Sequence, residues 1–77
     1  MSHSQFIPIL YPSKPKALLI DIFFKDGRIH SINTTINSVL VEFSKDVDGN
    51  FKTTTVNQIE KPYLAYITEQ LNRMFGN

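Results

Sequence analysis

The dipeptide Asp26-Gly27 constrains this chain more than any other pair of residues. It closes the run Ala17-Leu18-Leu19-Ile20-Asp21-Ile22-Phe23-Phe24, in which Asp21 alone is polar. A run this short, rich in β-branched and aromatic side chains and ended by Asp-Gly, is a strand entering a tight hairpin, not a helix. Type I′ turns need positive φ at both central residues, and Asp-Gly takes up that geometry at little cost. With Asp26-Gly27 as a two-residue loop, Lys25 faces Arg28, Phe24 faces Ile29 and Phe23 faces His30. Strand alternation then places Leu18, Ile20, Ile22, Phe24 and Ile29, with Ser31 and Asn33, on one face. Leu19, Asp21 and Phe23, with His30, Ile32 and Thr34, fall on the other.

The remaining segments build outward from that hairpin. Met1 to Gln5 is polar and expected to be loose. Phe6 to Tyr11 has strand composition, but Pro8 removes a ladder donor and restricts it to an edge strand or an extended arm. Pro12 to Lys16 is a stiff connector, and Asn33 to Ser38 reads as a turn. Val39 to Phe43 is a strand, Asp46-Val47-Asp48-Gly49-Asn50 a second hairpin turn, and Phe51 to Val56 its return. A bulge at Gly49 would decide which face Phe51 joins. The segment 57–76 is the helical one. Asn57-Gln58-Ile59-Glu60 has the form of a capping box, and Pro62 moves the regular start to about Glu60 or Pro62. Leu64, Ile67, Leu71 and Met74 recur at helical spacing, and Gly76 suits the C-terminal stop. The expected fold is α+β over residues 1–77 as one domain. It has a four- or five-stranded, mainly antiparallel sheet, made of two hairpins plus an N-terminal edge strand, with one C-terminal helix on one face.

A chain of 77 residues buries only roughly 60% of its unfolded surface, and a core of that size supplies about 3–5 kcal/mol. There is no cysteine, so disulfides and thiolate metal sites are excluded. Eight Lys/Arg against seven Asp/Glu gives a net charge of +1, with no basic footprint for nucleic acid. No apolar run is long enough to span a bilayer, and no leader pattern opens the chain; a cytoplasmic location is expected. One helix covers one sheet face. It should take the face of Leu18, Ile20, Ile22 and Phe24, leaving Leu19, Phe23 and Ile32, with Leu40 and Ala17, exposed on the other. Burying each such large side chain is worth about 1.5–3 kcal/mol, so the imbalance points to a partner.

Other chemistry is weaker. Asp21, His30 and Thr34 share a face, as an oriented histidine and a hydroxyl would in nucleophilic catalysis, but no oxyanion loop accompanies them. An ordinary polar pair is favoured. Asp46 to Asn50 begins like a calcium loop, yet glycine stands fourth instead of sixth and Asn57 replaces the bidentate glutamate. No metal or cofactor is expected. Lys14, Lys16, Lys25 and Arg28 form a candidate nucleic-acid edge beside Phe23, diluted by neighbouring aspartates. The reading that results is a non-enzymatic protein-interaction module, a homodimer or a small subunit or inhibitor docked on a larger protein. Its expected contacts are Leu19, Asp21, Phe23, His30 and Ile32, with strand addition at Phe6 to Tyr11 as a further route. Small size without motifs also fits an accessory protein of a phage or mobile element.

Overall fold

The computed structural model describes residues 2–11, 13–53 and 58–76. It shows a five-stranded antiparallel sheet in the order β1-β2-β3-β4-β5, followed by one helix. The strands are β1 (Ser2–Leu10), β2 (Pro15–Lys25), β3 (Arg28–Ile36), β4 (Val39–Lys45) and β5 (Phe51–Thr53); the helix α1 is Lys61–Phe75. Strand neighbours in sequence are neighbours in the sheet.

The Asp26-Gly27 turn forms as its residues dictate: φ is 54° and 77°, and Lys25 pairs with Arg28. The β3–β4 turn repeats that geometry on a poorer sequence, with φ of 50° at Asn37 and 66° at Ser38. Left-handed backbone suits Asn but strains Ser. Ser38→Gly, which creates the favoured Asn-Gly turn, is expected to stabilise the fold by about 0.5–1 kcal/mol after the entropy cost of glycine. A shift in urea midpoint measures it, and a destabilised variant would contradict the turn geometry.

β3 departs from the uninterrupted register. Phe24 pairs with Ile29, but Phe23 pairs with Ser31 and Ile22 with Ile32, so His30 is an extra residue on β3. This β-bulge shifts the register by one, and a one-residue slip flips every side chain beyond it. Ile32 is therefore fully buried in the core, not exposed beside Leu19 and Phe23. Thr34 follows it inside, 3% exposed, where its hydroxyl donates to the Leu19 carbonyl at 2.8 Å. Ser31 and Asn33 move to the other face. The reason lies in the packing: without the bulge, Ser31 and Asn33 would lie under the helix and Ile32 and Ile36 would face solvent. β3 also continues to Ile36, so the turn is confined to Asn37-Ser38.

The inner face is thus built from Ile7, Ile9, Ile20, Ile22, Ile32, Ile36, Val41, Phe43 and Phe51. Ile59 and the helix residues Leu64, Ile67 and Leu71 close over it. Met74, at the end of that stripe by spacing, is exposed. The helix starts at Lys61 with Pro62 in its first turn, where no amide hydrogen bond is lost. Glu60 is the N-cap and offers no side-chain cap; its carbonyl accepts from the Tyr63 and Leu64 amides, both at 3.1 Å. The capping role expected of Asn57 lies outside the described residues. At the other end the Gly76 amide donates to the Asn72 carbonyl at 2.9 Å. A Cβ at Gly76 would sit 2.5 Å from that oxygen, so the glycine is there for closeness and not for a left-handed φ.

Candidate sheet-face interface

The outer face of the sheet is read from the pairings. Ser2, Ser4, Phe6, Pro8 and Leu10 of β1 stand opposite Phe23, Asp21, Leu19, Ala17 and Pro15 of β2. Asn33 and Ser31 of β3 continue these rows, and Leu40, Glu42 and Ser44 of β4 extend them. No element packs over this face among the described residues. Phe6 and Leu40 are each 66% exposed, Leu10 56%, Leu19 48% and Phe23 36%. Among the described residues the other exposed large hydrophobic ones are Val47, in the β4–β5 turn, and Met74 on the helix.

Leu19 and Phe23 are thus exposed as expected. Asp21 is half-buried, and its carboxylate accepts a hydrogen bond from the Ser4 hydroxyl instead of meeting His30. His30 is exposed at the bulge. Thr34 is on the opposite face, so Asp21, His30 and Thr34 are not brought together. Phe6 and Glu42 are assigned to neither face by sequence, because their facing depends on pairings that no local pattern specifies, and Asn33 reaches this face through the bulge instead of the inner face expected for it. Asn33 is the unusual one: its Oδ1 is buried and has no hydrogen-bond partner.

The four cations of the proposed nucleic-acid edge do not form one. β2 lies between β1 and β3, so it is no edge. Lys14 and Lys16 are at its start and Lys25 and Arg28 at the hairpin tip. Extended backbone from Lys16 to Lys25 spans about 30 Å.

Both true edges are blocked at specific points. On β1, Pro8 has no amide to offer and the Leu10 amide donates to the Tyr66 hydroxyl at 2.7 Å. Tyr11 stacks on Tyr63, ring centroids 4.8 Å apart, which fixes the same corner to the helix. Burial, then the nearby Tyr11 and Tyr66 rings, pushes the Tyr63 hydroxyl pKa above its ordinary value. On β5, Asn72 occupies both main-chain groups of Phe51: its Oδ1 accepts from the amide at 2.6 Å and its Nδ2 donates to the carbonyl at 3.4 Å. The helix amide acts as one rung of a further strand. Strand addition along Phe6 to Tyr11 is hindered accordingly, and the open surface is the face.

The Asp46 turn closes the β4–β5 hairpin. Asp46 Oδ1 accepts from the amides of Asp48 and Asn50 at 2.9 and 3.0 Å, and Oδ2 is 3.1 Å from Lys52 Nζ. Among the described residues no three acidic or histidine side chains gather as metal ligands. The amide of Asn50, then Lys52, holds the Asp46 pKa below its usual 3.8. A depressed folded pKa means stability that is present above 3.8 and lost as pH falls through the lower folded value. The stability gap between the wild type and Asp46→Asn is therefore expected to be constant at neutral pH and to close on acidification. Urea titrations across that range check it, and a gap that widened in acid would contradict the assignment.

No described helix is long and apolar enough to cross a membrane. Comparison with protein-family models, with curated proteins and with solved structures finds no significant match.

Proposed function

We propose that this chain is a non-enzymatic protein-interaction module whose outer sheet face is covered by protein, as a homodimer or as a small subunit or inhibitor on a larger target. One observation carries this reading: Phe6, Leu10, Leu19, Phe23 and Leu40 are exposed together on the face the helix cannot reach. Taken against whole aromatic and leucine side chains, they present roughly 500 Å² of apolar surface. The largest contiguous patch on a monomer is about 300–600 Å²; here that area is divided by the Ser4–Asp21–Asn33–Glu42 row, with Phe23 on one side and Phe6, Leu10, Leu19 and Leu40 on the other. Asp21 supplies specificity, because a carboxylate covered by a partner must be matched by a donor. The nucleic-acid reading is weaker, since its four cations are divided between the two ends of β2.

Phe23→Asp and Leu40→Asp test the proposal. Each is expected to abolish association, whether read as solution mass in light scattering or as partner capture, with the circular dichroism unchanged. Wild-type mass together with capture of the same partners would overturn the interface, and an unfolded variant would place the residue in the core. A steeply salt-dependent titration with labelled DNA or RNA would support the alternative instead.

A further inference from the structure

Resting on that reading, we propose that the occupant of the outer face is a different protein segment. It carries an apolar ridge and at least one arginine or lysine, whose cation seats on the row Ser4–Asp21–Asn33–Glu42. Those four residues are consecutive cross-strand partners on β1 to β4. The row is rich in acceptors and poor in donors. Asp21 receives the Ser4 hydroxyl, and Asn33 Oδ1 receives nothing. No cation among the described residues pairs with Asp21 or Glu42, and Lys52, further along the same face, is held by Asp46. A purely apolar cover would strip water from two carboxylates and replace it with nothing, which is costly. A guanidinium brings five donors in a planar fork and meets the Asp21 and Glu42 carboxylates directly, the Asn33 Oδ1 between them being buried out of reach.

The apolar contacts lie one step away. Phe6, Leu19 and Leu40 are each two residues along their strands from Ser4, Asp21 and Glu42, about 7 Å. On a helix, residues three or four apart have nearly that separation, so one amphipathic turn presents the cation to the row and a leucine or phenylalanine to the stripe.

A second copy fits worse. Face-to-face packing of identical sheets puts the two-fold axis in the interface plane. An axis along the strands sets the acidic row against itself. An axis across them through the Leu19 row joins the apolar stripes but sets Asp21 and Glu42 over the Ala17–Pro8 row. An axis through the Phe23 row brings Lys25 and Arg28 of the second copy to Asp21, but leaves Leu19 opposite the Asp26-Gly27 turn. None of the three joins both the charges and the stripes.

The test selects a display library of random peptides, about 16 residues long, on the immobilised full chain. Enriched peptides are then measured singly by fluorescence anisotropy, and their footprint is mapped by NMR. The expected binders pair Arg or Lys with Leu or Phe and shift the outer-face resonances of β1 to β4. Asp21→Asn with Glu42→Gln should weaken them roughly tenfold to a hundredfold, and Leu19→Ser with Leu40→Ser should abolish binding. Binders without a cation, or indifferent to Asp21→Asn with Glu42→Gln, overturn this inference; if Leu19→Ser with Leu40→Ser still abolishes them, the docking face stands. A dimer in sedimentation velocity that Leu40→Asp dissociates has the same consequence. No enrichment on the outer face overturns both.

Discussion

Ile32→Ala is expected to destabilise the fold by about 2–5 kcal/mol, whereas Leu19→Ala on the neighbouring strand should cost under about 1 kcal/mol. Ile32 is fully buried between Ile22 of β2 and Phe43 of β4, and Leu19 is 48% exposed. Truncating Ile32 removes transfer energy and opens a cavity that the flanking strands cannot collapse into. Set against a small core, that loss is enough to populate the unfolded state. The contrast tests the bulge itself, because an uninterrupted β2–β3 ladder would bring Ile32 to the outer face and make its truncation harmless. Urea unfolding followed by circular dichroism reads both variants. Equal small losses would contradict the bulged register.

Asn72→Ala should cost about 1–3 kcal/mol, the range for leaving a partly buried donor without its partner. Its side chain satisfies both main-chain groups of Phe51. Phe51 opens β5, and this rung holds it on the side away from β4. The loss should appear as faster hydrogen exchange at the Phe51 amide and as a new tendency to associate through the freed edge. Asn72→Asp keeps an acceptor for the amide and should restore protection there while failing at the carbonyl. An Asn72→Ala variant with wild-type exchange at Phe51 would show that β4 alone fixes β5.

These two positions also show where the sequence was legible. The strand that ends at Asp26-Gly27, the turn, an antiparallel sheet of four or five strands and the C-terminal helix all follow from local chemistry. So does the division of β2 into an inner set, Leu18, Ile20, Ile22 and Phe24, and an outer set, Leu19, Asp21 and Phe23. The return strand β3 departs from simple alternation. Ile29 and Ile32 are three residues apart, and an unbroken strand cannot put both on one face. That spacing, with Ile36 in phase with Ile32, is the signature of one extra residue between them. The rows of the outer face needed more than that. Phe6 alternates with Ile7 as readily inward as outward, and only its pairing with Leu19 fixes its side. Asn33 becomes an unpartnered acceptor only after the bulge has turned it outward. Asn72 is an ordinary outer-helix polar residue by spacing, and its bond to Phe51 is a long-range contact with no local signal.

The outer face contributes little to the stability of the lone chain if it exists to be covered by something else. Phe6→Thr, Leu19→Thr and Leu40→Thr combined keep strand propensity while removing the apolar stripe. The urea midpoint of this triple variant, measured on the isolated chain, tests the claim most directly. A total loss of no more than about 1–2 kcal/mol, with all binding gone, is the predicted result. A chain that no longer folds would contradict it, because the stripe would then be part of the core.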